Sequence, residues 1–384
     1  MSSGTLVESV QSALATVNDP EIKRPITELG MVRSVDIDNS GSARVEVLLT
    51  VAGCPMRDTI TREVTAAVSG VDGITDVQVV LDVMSAEQRQ QLQADLRGSR
   101  NEKEIPFSRP DNLTKIFAIA SGKGGVGKST VTANLGVAMA AQGYKVGIVD
   151  ADVYGHSIPA MLGVADQRPT QVEDMIMPVP VHGLRVISIG MLKARPDQVV
   201  AWRGPMLDRA LVQMLSDVYW GDLDVLLLDL PPGTGDMAIS VGQHLTNADV
   251  IVVTTPQEAA TDVAERAGTI ASMMNQRVVG VVENMSYLAC PHCGPEHQIE
   301  LFGTGGGQRV ADTLTQRFGY AVPVLARLPL EESLRVGGDL GQPVALNPAG
   351  GTAAEGLRDL AATLGGRGRG LAGMQLGLSP ASRN

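Results

Sequence analysis

Two hydrophobic rhythms divide this chain. In the first, apolar residues recur at helical spacing from Thr5 to Val17, and polar and apolar residues alternate from Arg44 to Leu49. These patterns predict a helix and a half-buried strand. A second helix is expected after Pro55, a strand over Asp76–Leu81, and a Gln-rich helix over Ser85–Leu96. Together they make a small α+β domain, residues 1–95. The run Gly98-Ser99-Arg100-Asn101 then marks a linker, residues 96–112. In the second rhythm, short runs are apolar on both faces: Ile116–Ala120, Val146–Val149, Val186–Ile189, Val225–Leu228, Val250–Val253 and Val278–Val282. Such runs, separated by helical stretches, predict an α/β domain over residues 113–364, with a mostly parallel sheet covered by helices on both faces. Residues 365–384 open on Gly-Gly-Arg-Gly-Arg-Gly and are expected to form a flexible tail.

Composition narrows the function classes. The 384 residues are 44% hydrophobic and 19% charged, an ordinary globular balance. Forty-two acidic against 31 basic residues give a net charge of −11, which repels phosphate backbones, and 3% aromatic content leaves few platforms for base stacking. Nucleic acid is therefore not expected as a partner. No run reaches the ~18 to 20 apolar residues of a membrane span, no secretory leader is visible, and three cysteines cannot build a disulfide framework. A cytoplasmic protein without a membrane partner is the expectation.

The strongest chemical signal follows the first of the apolar runs. Gly122-Lys123-Gly124-Gly125-Val126-Gly127-Lys128-Ser129-Thr130 fits G-x-x-x-x-G-K-[ST] between a predicted strand and helix. Glycines let successive N–H groups curl around an anion, and the helix N-terminus adds its positive end. Lys128 is placed to reach the β and γ phosphates of ATP, and the Ser129 hydroxyl to ligate Mg²⁺. Lys123 is a second lysine in the loop, and like-charge crowding keeps it from sharing one γ-phosphate with Lys128. It is either a solvent-facing side chain or one that reaches a nucleotide held by another subunit. Asp150 and Asp152 follow Val146–Val149, at the strand end where α/β sheets bind ligands. Asp152 suits orientation of an attacking water and Asp150 the outer shell of Mg²⁺, unless both are turn residues. Asp229 ends Val225–Leu228 in the Walker B manner, and the Pro/Gly-rich residues after it suit a switch segment. Asn284 follows Val278–Val282; its amide can pair with a purine edge or simply close a turn.

Cys290-Pro291-His292-Cys293 is the second rich feature. Two thiolates at this spacing can chelate a metal, yet a closed zinc or iron–sulfur site takes about four ligands. A two-fold dimer would supply the missing pair. Iron–sulfur, zinc and a redox dithiol all remain open on spacing alone. Cys54, before a predicted helix, is either a low-pKa thiol or an inert buried one.

With Lys123 in its particular place, the loop resembles the deviant Walker A of the ParA/MinD group of dimeric ATPases. Asp150-Ala151-Asp152-Val153-Tyr154-Gly155, the Asp229–Asp236 segment and the Cys290/Cys293 pair narrow the likeness to the Mrp/NBP35 (ApbC) family of iron–sulfur carriers. Residues 1–95 resemble the MIP18 domain often fused ahead of it, through Asp19-Pro20-Glu21 and Thr50–Pro55. The resemblance implies a homodimer that holds a labile [4Fe–4S] cluster at its interface and passes it from the assembly machinery to apo-proteins under control of ATP. It also implies that Lys123 acts across the dimer, Asp152 orients water, Asp229 supports Mg²⁺ and Asn284 contacts adenine. His156 stands where that family often has proline, and no cysteine-rich N-terminal extension is present. A ParA/MinD-like positioning ATPase and a nitrogenase iron protein-like electron donor are the competing readings of the loop.

Overall fold

The structure, a computed structural model, describes residues 3–51, 56–97, 104–153, 155–193, 204–233, 235–257, 276–290 and 292–366, with 266, 268 and 271 besides. Cys54, Tyr154, Thr234 and the tail beyond residue 366 lie outside them. The chain forms two compact units.

The first unit takes in residues 1–104 together with 168–180 and 217–221. Helix α1 (Ser3–Leu14) leads to strands β1 (Val32–Ile37) and β2 (Ser42–Leu49), then α2 (Arg57–Ser69), β3 (Asp76–Val83) and α3 (Ala86–Arg97). β2 pairs antiparallel with β1 and parallel with β3. The helix expected to reach Val17 stops at Leu14. Val17 is still buried, but through a turn in which its N–H donates to the Leu14 carbonyl at 3.1 Å. Val10, Ile26, Val45, Val47, Ile60 and Val64 form the core, and Val172, Met175, Met177 and Tyr219 join it from far along the chain.

The second unit carries the mostly parallel sheet. It begins with β4 (Lys115–Ser121), α4 (Lys128–Ala141), β5 (Val146–Asp150) and α5 (Ile158–Met161). After the short strands β6 (Thr170–Val172) and β7 (Met175–Met177), which belong to the first unit, and β8 (Val179–Val181), which spans the division, come β9 (Leu184–Ser188), α6 (Gly204–Ser216), β10 (Val225–Asp229), α7 (Asp236–His244) and β11 (Asp249–Thr254). β12 (Arg277–Glu283), β13 (Leu288–Cys290), β14 (Gly294–Ile299), α8 (Gly306–Phe318), β15 (Val324–Arg327), α9 (Glu332–Asp339) and α10 (Gly351–Gly365) complete it. The order across the sheet is β15-β12-β11-β4-β10-β5-β9-β8. All six expected apolar runs are strands of it, and the registered pairs from β15 to β9 are parallel.

This order positions the site. From β4 the chain crosses to β5 and β9, returns to insert β10, and then continues on the other side of β4 with β11 and β12. The reversal leaves a crevice beyond the carboxyl end of β4, the place where such sheets bind ligands. α4 is buried on nearly all sides from Val131 to Met139, as befits a helix apolar all round. Gly136 allows that fit, because a Cβ there would lie 2.7 Å from Ile148 Cδ1.

Candidate nucleotide site and cysteine hairpin

Five strand ends, those of β4, β5, β10, β11 and β12, deliver the polar groups of the crevice. β4 runs into Gly122–Gly127, and α4 opens at Lys128 with Gly127 as its N-cap in the left-handed region, φ 79°. That conformation suits glycine. A second constraint acts at the same residue, since a Cβ there would collide with the Asn284 amide.

Lys128 and Asp229 form the electrostatic centre. The Lys128 ammonium lies 2.7 Å from Asp229 Oδ1, with side-chain exposures of 5% and 0%, so the pair is shielded from solvent. The Ser129 hydroxyl donates to Asp229 Oδ2 at 2.5 Å and the Thr132 hydroxyl to Oδ1 at 2.9 Å. Asp229 is thus paired with one ammonium and two hydroxyl donors, as a buried carboxylate requires. Thr132 is a member of this cluster that the motif did not reveal, although its i+4 spacing from Lys128 on a helix places it on the same face.

Asp150 sits beside Asp229 in the register of β5 with β10. Burial, and after it the negative charge of Asp229, push the Asp150 carboxyl well above the usual carboxylate range. It accepts from the Ser188 hydroxyl at 3.0 Å and from the Asp152 N–H at 3.2 Å. The Asp152 carboxylate in turn accepts from the Gly155 N–H at 3.0 Å and so closes the turn after β5. His156 lies outside this turn, its Nε2 3.2 Å from the Lys193 ammonium.

Lys123 is half-buried and its ammonium donates to Gln257 Oε1 at 2.8 Å. Gln257, in the loop after β11, is a partner that no sequence motif signalled. Asn284 is buried at the end of β12; its Nδ2 donates to the Val126 carbonyl at 2.9 Å and its backbone N–H to the Thr254 carbonyl at 2.8 Å. The amide thus braces the phosphate loop. A cavity of about 480 Å³ adjoins these groups, lined among others by Gly127, Thr130, Met161, Asn284, Met285 and Leu330. Its apolar walls with a few polar groups beside a helix N-terminus fit a heterocycle whose phosphates enter the loop.

The cysteines occupy a β-hairpin that leaves the end of β12. β13 and β14 pair antiparallel with Leu288 opposite Ile299 and Cys290 opposite Gly294, so Cys290 and Cys293 flank the tip. Cys290 is half-buried and Cys293 exposed. The Cys293 N–H points at Cys290 Sγ from 3.4 Å, and this group, with the His292 N–H, holds the Cys290 thiol below its ordinary range. Thiolate is the metal-binding form. Among the described residues, no three His, Cys, Asp or Glu side chains converge as a metal site, and no helix is long and apolar enough to cross a membrane.

Comparison with known proteins agrees with this arrangement. Residues 112–365 match the family described as NUBPL iron-transfer P-loop NTPase, and residues 8–81 match that described as iron-sulfur cluster assembly protein. The iron-sulfur cluster carrier protein of Mycobacterium tuberculosis is 55% identical over 380 residues, 99% of this chain and 98% of its own. That of Synechocystis is 38% identical over 366 residues, 94% of this chain and 97% of its own. Among solved structures, a nucleotide-binding protein of Archaeoglobus fulgidus in complex with ADP superposes with a TM-score of 0.54 at 36% identity, covering 65% of this chain and 96% of that one.

Proposed function

We propose, from the premise that this chain belongs to the NUBPL iron-transfer P-loop NTPase family, that it hydrolyses ATP to govern a labile [4Fe–4S] cluster held between two copies and handed to apo-proteins. One observation carries the reading. The phosphate loop and the cysteine hairpin are joined by a single short segment after β12, so a nucleotide site and a thiolate pair lie in one structural unit. Residues 113–364 form the ATPase domain in this reading, and residues 1–95 a MIP18-like domain that meets the assembly machinery or a recipient.

The site residues act as follows. Gly122–Thr130 donate N–H groups to the phosphates, and Lys128 leaves Asp229 for the β and γ oxygens. The Ser129 hydroxyl and, through water, Asp229 fit Mg²⁺, since both are hard oxygen donors already within 2.5 Å of each other. When bound, that ion neutralises phosphate charge. Asp150 keeps its proton until positive charge comes close. Asp152 orients the attacking water, with its carboxylate held by the Gly155 N–H. Lys123 exchanges Gln257 for the nucleotide of the second copy. Asn284, its Nδ2 committed to Val126, offers Oδ1 to the adenine amino group.

The cluster is cargo. Cys290 and Cys293 supply two thiolates and a two-fold axis supplies two more, completing four. Anaerobic reconstitution should yield on the order of four iron and four sulfide per dimer, and Cys290→Ala or Cys293→Ala should abolish it. Iron retained in both variants, or loaded protein that stays monomeric on a sizing column, would refute the shared site.

A further inference from the structure

The segment between β12 and the cysteine hairpin is four residues long, Asn284 to Tyr287, and one of them is unusual. Met285 has φ 54°, in the left-handed region that residues with a Cβ rarely occupy. Such a conformation persists only where its surroundings impose it.

Those surroundings belong to both sites. Toward the nucleotide, Met285 lines the cavity, and its Cε lies 3.6 Å from the position of a Cβ on Gly127, the N-cap of the phosphate-loop helix. On either side the backbone is pinned. The Asn284 N–H donates to Thr254, the Ser286 N–H to the Leu328 carbonyl at 2.9 Å, and the Ser286 hydroxyl to the Glu283 carbonyl at 2.9 Å. Toward the hairpin, the Leu330 N–H donates to the Tyr287 carbonyl at 2.7 Å, and Leu330 is itself a wall of the cavity. Beyond Tyr287 the chain enters β13, which ends at Cys290.

We propose that Met285 is a positioning residue that couples occupancy of the nucleotide cavity to the geometry of the cysteine hairpin. A base entering the cavity meets the Met285 side chain where it lines the wall beside Gly127. Displacing that side chain removes part of what holds φ positive, and a change at this φ re-aims the chain that leads to Cys290. Leu330 is a second point of contact, because it touches the cavity and holds Tyr287. Coupling requires one element that both sites bias, and this segment borders the cavity at Asn284 and Met285 and leads into the strand that ends at Cys290. The inference rests on the nucleotide reading of the cavity given above.

Thiol alkylation reads the coupling without iron or turnover. Metal-free full-length protein is treated with iodoacetamide, with and without ADP, and the rates at Cys290 and Cys293 are followed by peptide mass spectrometry. Each protein is measured at ten times its own Kd for ADP, obtained by calorimetry. For the unaltered chain ADP should change the Cys290 rate at least threefold. In Met285→Gly, which relaxes the backbone, and in Met285→Ala, which removes the side chain from the cavity wall, the change should fall below 1.5-fold. An alkylation rate indifferent to ADP in the unaltered chain, with ADP bound, would overturn the coupling while leaving the nucleotide reading intact. A full threefold response in both variants would overturn it too. Failure of ADP to bind at all would overturn the nucleotide reading and this inference with it.

Discussion

Lys128 and Asp229 show how one buried ion pair can be structural and chemical at once. Removing a partner from such a pair strands the other charge, at a cost of about 3–5 kcal/mol. Asp229→Ala should therefore lower stability by roughly that amount in chemical denaturation. Asp229→Asn should cost less, since its Oδ1 can still accept from one of the two hydroxyls and its bulk fills the same space. Equal losses would mean that the charge opposite Lys128, and not the hydrogen bonds from Ser129 and Thr132, holds the cluster together. Lys123→Ala should leave ATP binding close to unchanged and remove the part of hydrolysis that rises with protein concentration, measured by phosphate release across a dilution series. Unchanged hydrolysis would end the trans-lysine reading. Lys128, Ser129 and Asp229 were legible because a linear motif or a strand end marks each. Gln257 and Thr132 were not, because their roles are fixed by partners that the chain brings together only on folding.

Elements were legible where an unbroken or regularly alternating apolar pattern marks them, as in the central strands and β3. The six central strands could be read from unbroken apolar runs, whereas β1, β15 and the cysteine hairpin could not. β1 has only half-buried and exposed positions, β15 is an edge strand with no fully buried residue, and β14 carries Glu296, His297 and Gln298 toward solvent. Periodicity reports burial, and these strands exist through pairing instead. The phosphate loop and α4 make a testable element. Gly127→Ala must force a Cβ into both a left-handed backbone and the Asn284 amide. Nucleotide affinity should drop on the order of tenfold or more, with the circular dichroism spectrum retained. Affinity within twofold of the unaltered chain would show that the loop tolerates another course.

At the scale of the molecule, pH acts on the first compact unit through one buried carboxyl, that of Glu21. Burial, opposed by a hydrogen bond from the Thr170 hydroxyl and reinforced by Asp19, raises the Glu21 carboxyl from 4.5 to about 7. The folded state then holds a proton that the unfolded chain has released. Stability from this group is complete below about pH 4.5 and is lost as pH rises toward 7, by about 3 kcal/mol in all. Glu21→Gln should flatten that dependence and raise the melting temperature at pH 8. An unaltered pH profile would show that Glu21 ionises freely. The sequence fell short here for a reason of distance: Thr170 is 149 positions from Glu21, and only the folded unit brings them to 2.9 Å. Val172, Met175, Met177 and Tyr219 complete the same core from equally remote stretches. A scissor placed between residues 97 and 104 would consequently not release a self-sufficient bead. The severed N-terminal fragment would carry an oily socket whose plug remains on the other piece.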